Sequence, residues 1–214
     1  MLTTFLTLAV LLGAAGLVVL LLARGIENKL VYFPEPAYGD SPARLGLPFE
    51  DLTLPTPDGE TLRAWYIPGS SMVEGPQAQL LFFHGNAGSR ERRLENLAGL
   101  HHAGIGVLIF DYRGYGGSSG SPTEAGVIVD GVAAFDWLAA REPDRPIVGF
   151  GRSLGGAVAS QVAQRKPLAG LILESTFTSA KEMAPLVLPL PGVGWITRHR
   201  FDTRAALRGL TQPL

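Results

Sequence analysis

The spacing best suited to chemistry lies in Pro146-Ile-Val-Gly-Phe-Gly-Arg-Ser-Leu-Gly-Gly-Ala-Val-Ala-Ser160. A short apolar run breaks at Gly151-x-Ser153-x-Gly155, and the Ala/Val-rich stretch that follows, free of proline to Lys166, reads as a helix. A serine held on a sharp strand-to-helix turn presents its hydroxyl at the top of a sheet, beside helix amides that can hold an oxyanion. The pattern therefore points to nucleophilic attack on a carbonyl. A second match, Gly116-Gly-Ser118-Ser-Gly120, is followed by Ser121-Pro122 instead of a helix, so Ser118 is read as a loop residue.

Such a turn needs a sheet beneath it. Phe49–Leu54 and Thr61–Ile67 flank Asp58-Gly59, the signal of an antiparallel hairpin. The rhythm then changes to Leu80–Phe83, Val107–Phe110, Ile147–Phe150 and Leu171–Leu173, short apolar runs separated by segments long enough for helices. Runs without alternation indicate strands buried on both faces, hence a mostly parallel sheet behind an N-terminal antiparallel hairpin, in the α/β class. Ser121-Pro122-Thr123-Glu124 reads as a capping box, with Ser121 as N-cap, opening a helix to about Ala140.

A net charge of −1 over 214 residues gives no attraction to nucleic acid. Arg90, Arg92 and Arg93 alternate with Glu91 and Glu95 and read as a solvated helix face. Without cysteine there is no disulfide, thiolate metal site or cysteine nucleophile, and the histidines show no metal-ligand spacing, so neither metal nor cofactor is expected. His101 and His102 read as surface or capping residues near a helix end. Asp111-Tyr-Arg-Gly-Tyr-Gly-Gly-Ser118 lacks the lysine and spacing of a phosphate loop and reads as a structural turn.

Leu2–Ala23 carries no charge, and its length as a helix, about 33 Å, is enough for a bilayer core. It is read as a single membrane anchor in preference to a cleaved signal, because no Lys or Arg precedes the run and no small-x-small site precedes Arg24. Arg24 and Lys29 follow the span, which favours a cytoplasmic catalytic domain. Residues 24–48, with four prolines, read as a juxtamembrane linker pressed on a domain that occupies 49–214.

Four segments in order, His84-Gly-Asn-Ala-Gly88, Asp111 to Ser118, Gly151 to Gly156 and Leu173-Glu-Ser-Thr-Phe177, resemble the α/β-hydrolase superfamily. Within it, the chain is similar to the membrane-anchored serine hydrolases that include the α/β-hydrolase-domain depalmitoylases. The resemblance implies a serine hydrolase cleaving an ester or thioester of a small or acylated substrate through an acyl-enzyme on Ser153. It also implies an oxyanion hole from the amides of Leu154 and of a residue in the loop after the third strand, taken here as Asn86. His84 becomes a structural residue, and the apolar stretch within 175–203 corresponds to a lid. The family places an acid and a histidine after two further strands, so a chain truncated beyond Leu214, with doubtful activity in its 214-residue form, is expected. Gly170–Glu174 would then be an uncovered edge. Within the chain the order serine, acid, histidine is offered by Ser153, Glu174 and His199, with His199 flanked by Arg198 and Arg200 in what reads as a solvated basic segment. A catalytically incomplete, membrane-tethered binding module is the other reading.

Overall fold

The computed structural model describes residues 31–72, 78–187 and 197–214, together with Gly13, Asn28, Lys29, Pro189, Gly192 and Gly194. The chain divides into two units, Met1–Phe33 and Pro34–Leu214, and the second carries the sheet. The expected anchor at 2–23 lies outside the described residues, Gly13 excepted; among the described residues no helix is long and apolar enough to cross a membrane.

Six strands form that sheet: β1 (Glu50–Pro55), β2 (Thr61–Ile67), β3 (Gln79–Phe83), β4 (Gly106–Phe110), β5 (Ile147–Arg152) and β6 (Gly170–Glu174). Their spatial order is β1-β2-β4-β3-β5-β6. The first two form the expected antiparallel hairpin, β2 pairs antiparallel with β4, and β4, β3, β5 and β6 run parallel. The α-helices that position the sheet among the described residues are α1 (Leu94–His102), α2 (Glu124–Arg141), α3 (Leu154–Ala163), α4 (Ala180–Val187) and α5 (Thr203–Arg208). Strand periodicity divides the core between two faces. Trp65, Leu80, Phe82, Val107 and Ile109 pack with Leu94 and Leu97 of α1, and Leu45 and Phe49 close this face from outside the sheet. On the opposite face Phe83 meets Phe110 edge-on at 5.5 Å. A Cβ on Gly131 of α2 would lie 2.8 Å from both Phe83 and Val162, so only glycine lets α2 approach this closely.

Three expectations are corrected. The N-cap of α2 is Thr123, whose Oγ1 accepts from the Gly126 amide at 3.0 Å, and not Ser121. Thr123 has the extended backbone a cap requires (φ −140°, ψ 158°), and Glu124, freed from any capping box, accepts from the amides of Arg200 and Phe201 at 2.6 and 2.7 Å. The arginines at 90–93 are not a solvated face. They form a 3-10 turn before α1 in which Arg90 is buried, paired with buried Asp111 and stacked 4.5 Å over Trp65. A charge run read only by alternation hides this, because the partner sits 21 residues away. His199 is buried as well, stacked on Phe201 and 4.0 Å from Glu124.

Beyond β6, the Pro213 carbonyl accepts from the Leu171 amide at 3.0 Å, so the last residues run beside this edge. Ile172 is half exposed there.

Candidate active site

Ser153 stands between β5 and α3 with φ 53° and ψ −117°, a left-handed conformation that non-glycine residues rarely adopt and that costs about 1–3 kcal/mol. Neighbouring structure holds it there. Its amide donates to the Glu174 carbonyl at 2.9 Å, and its carbonyl accepts from the Gly156 amide at 3.0 Å and from Thr176 Oγ1 at 2.8 Å. The flanking glycines are explained by contact. A Cβ at Gly151 would stand 2.5 Å from Gly156 Cα, and one at Gly155 would stand 2.0 Å from the Phe83 carbonyl oxygen. The G-x-S-x-G spacing is thus what allows α3 to begin directly on top of β3 and β5.

The amide of Leu154 opens α3, and the first amides of a helix have no acceptor within it. Opposite, Gly85 belongs to the loop after β3, and its Cβ would fall 3.7 Å from Ser153 Cβ. The next residue, Asn86, is half-buried, with its Oδ1 accepting from the Tyr115 hydroxyl at 2.8 Å. Both expected donor segments therefore border the serine.

His84 is completely buried. Its Nδ1 donates to the Gly85 carbonyl at 2.7 Å, and the His84 carbonyl accepts from the Tyr112 hydroxyl at 3.0 Å. Burial pushes its imidazole below the ordinary value, against the opposing attraction of Asp111, and its two backbone contacts make His84 a brace for the loop. Ser118 is also structural: its Oγ donates to the Asp111 carbonyl and accepts from the Arg63 amide, each at 2.9 Å. The turn it closes is tied to the fold by Arg113, which binds buried Asp130 at 2.7 Å and Asp58 at 2.8 Å. His101 Nδ1 contacts the Pro68 carbonyl at 2.6 Å near the end of α1.

Glu174 ends β6, its carboxylate 3.7 Å from the Arg152 guanidinium. His199 faces Glu124 and Phe201. Each of these two candidates is thus held by a partner other than Ser153. The stretch read as a lid contains α4, where Leu186 and Val187 are exposed. Between α4 and the segment around His199 lies a cavity of about 310 Å³, lined by Ser179, Lys181 and Asp202 among others.

Residues 74–210 match the family described as serine aminopeptidase, S33. The chain belongs to the α/β-hydrolase family. This α/β hydrolase is 39% identical over 194 residues to the uncharacterized protein Rv2307c of Mycobacterium tuberculosis, covering 90% of this chain and 66% of that one. It is 40% identical to the α/β hydrolase domain-containing protein WAV2 of Arabidopsis thaliana, covering 96% and 74%. The lysophosphatidylserine lipase ABHD12 of Gallus gallus shares 44% identity over 112 residues, 49% of this chain and 29% of that one. Among solved structures, the esterase Pf2001 of Pyrococcus furiosus superposes with a TM-score of 0.67 at 23% identity, over 85% of this chain and 75% of its own. That likeness is one of fold.

Proposed function

We propose that this α/β hydrolase is a serine hydrolase that cleaves a carboxylic ester or thioester of a small acylated substrate through an acyl-enzyme on Ser153. The observation that carries the reading is the strained backbone of Ser153 between β5 and α3, with the Leu154 amide on one side and the Gly85-Asn86 loop on the other. Such strain persists only where surrounding structure over-determines it, and it supports a role for the turn in presenting the hydroxyl beside backbone donors. In the proposed reaction Ser153 Oγ bonds to the substrate carbonyl carbon and its proton passes to a general base. The Leu154 and Asn86 amides take the oxyanion, and collapse releases the alcohol or thiol before water frees the acid. The lipase among the relatives supports ester chemistry.

A second reading has its own support. Glu174 lies against Arg152 and His199 against Glu124, which suits a binding module lacking a base. Turnover of a p-nitrophenyl ester and an acyl thioester decides between them. The hydrolase reading predicts turnover that Ser153→Ala reduces to the uncatalysed rate; equal rates in both proteins would leave the binding module. We also propose that residues 2–23 anchor the chain in a bilayer with the catalytic unit cytoplasmic, which their uncharged sequence and the following Arg24 and Lys29 support. Retention in the membrane pellet after carbonate washing, with Met1 or Leu2 intact by mass, is the expected result. A soluble product starting after residue 23 would refute it.

A further inference from the structure

Arg93 is the one arginine of the 90–93 turn that makes no ion pair among the described residues. Arg90 has Asp111 and Arg92 has Glu35 at 3.0 Å, whereas the side chain of Arg93 donates only to the Ala87 carbonyl, at 3.3 Å, and its Nε is buried without a partner among the described residues. The residue is half-buried. Holding a guanidinium partly out of water with no directly paired carboxylate is unfavourable unless something else supplies the charge. Its location is specific. The point at which Gly85 would carry a Cβ is 3.9 Å from Arg93 Nη2 and 3.7 Å from Ser153 Cβ, so the cation and the serine approach the same glycine.

A second guanidinium belongs to the residue next to the serine. Arg152 immediately precedes Ser153, is partly exposed, and reaches the Glu174 carboxylate only at 3.7 Å. Burial holds Arg93 below the ordinary arginine value, and repulsion from Arg152 adds to this, with Glu174 the opposing charge. Two arginines thus share one carboxylate around the serine, leaving a positive charge uncompensated. Planar guanidinium groups pair bidentately with phosphate and carboxylate, and the pairing strengthens where water is excluded.

We infer that Arg93 and Arg152 form an anion subsite beside Ser153, so that the substrate carries a phosphate or carboxylate within a few bonds of the scissile carbonyl. This rests on the ester-hydrolase reading of Ser153 for calling the bound anion part of a substrate. The subsite acts in recognition, and the anion supplies the counter-charge that Arg93 lacks.

Binding calorimetry on the Ser153→Ala chain tests it without requiring turnover. The probes are 1-hexanoylglycerol, its 3-phosphate, and the 3-hexanoyl ester of glycerate, which replaces phosphate by carboxylate. The phosphate ester should bind at least about tenfold more tightly than the neutral one, equivalent to about 1.4 kcal/mol. Adding Arg93→Gln should remove that preference, Arg93→Lys should keep part of it, and Arg152→Gln should weaken it several-fold. Arg165→Gln, on an exposed side chain past the end of α3, should leave it unchanged. A carboxylate bound as tightly as the phosphate would define a subsite for either anion, and a weaker one a subsite for phosphate.

Equal affinity for charged and neutral probes in the parent would overturn the inference, as would a preference that survives both Arg93→Gln and Arg152→Gln. Should Arg93→Gln lose its melting transition, Arg152→Gln alone decides. Failure of Ser153 to react with a serine probe, with the anion preference intact, would sink only the hydrolase reading.

Discussion

Replacing Gly155 by alanine tests the packing that makes the serine turn possible. The added Cβ would lie 2.0 Å from the Phe83 carbonyl oxygen and 2.6 Å from that of His84. Carbon–oxygen contacts settle near 3.3 Å or beyond, so α3 and the end of β3 must separate by more than about 1 Å. Both opposing atoms are backbone, so no rotamer change relieves the clash. The cost belongs at the upper end of the overpacking range, about 3 kcal/mol. At roughly 2–4 °C per kcal/mol for a chain of this length, melting should fall by about 6–12 °C. The same displacement separates Ser153 from the loop at Gly85, and a misplacement of about 1 Å costs on the order of 10²-fold in reactivity. Differential scanning calorimetry gives the first quantity and the rate of fluorophosphonate labelling the second. Gly209→Ala is the control, because nothing lies within 4 Å of its Cβ and its φ of −100° suits any residue. A Gly155→Ala protein that melts within about 2 °C of its parent and labels at the same rate would refute this account of the turn.

Asp130→Ala should lower stability by about 1–3 kcal/mol in urea unfolding, because it removes the buried partner of Arg113 and leaves the guanidinium only the partly exposed Asp58; an unchanged stability would contradict that pairing. The Asp58 carboxyl is held at about 2, below its ordinary 3.8, chiefly by its hydrogen bond from Arg113 and then by that from Thr56. Its contribution is complete above pH 3.8 and lost as pH falls toward 2, so Asp58→Asn should flatten the urea midpoint against pH in that window; an unchanged slope there would oppose the assignment. Thr123→Ala should cost about 1 kcal/mol through the lost cap of α2, while Ser121→Ala should be near neutral; the reverse order would restore Ser121 as the cap.

The strands, their order along the chain and the serine turn were legible because each is written in neighbouring residues. Apolar runs mark buried strands, and the glycines two before and two after Ser153 mark where α3 crosses β3. What was not legible was pairing at a distance. Arg90 reads as one charge in an alternating run until Asp111 closes on it, and Arg113 reads as a turn residue until Asp58 and Asp130 converge on it. The capping box misled for a related reason: Glu124 satisfies the motif locally, but the amides of Arg200 and Phe201 claim its carboxylate. Arg93 could have been suspected only from its place in the turn after the His84-Gly-Asn loop, since nothing in its sequence neighbours separates it from Arg92.

The central claim is that Ser153 is the reacting atom's owner, and peptide mapping after fluorophosphonate labelling addresses it most directly. Trypsin cleaves after Arg152 and Arg165, placing Ser153 in the peptide Ser153–Arg165, while Ser118 falls in Gly114–Arg141. Ser160 shares the first peptide but is buried with its Oγ donating to the Gly156 carbonyl at 2.7 Å, and fragmentation separates the two. The account predicts a single adduct, on Ser153, that disappears in Ser153→Ala. An adduct on Gly114–Arg141, or labelling that persists in Ser153→Ala, would contradict it.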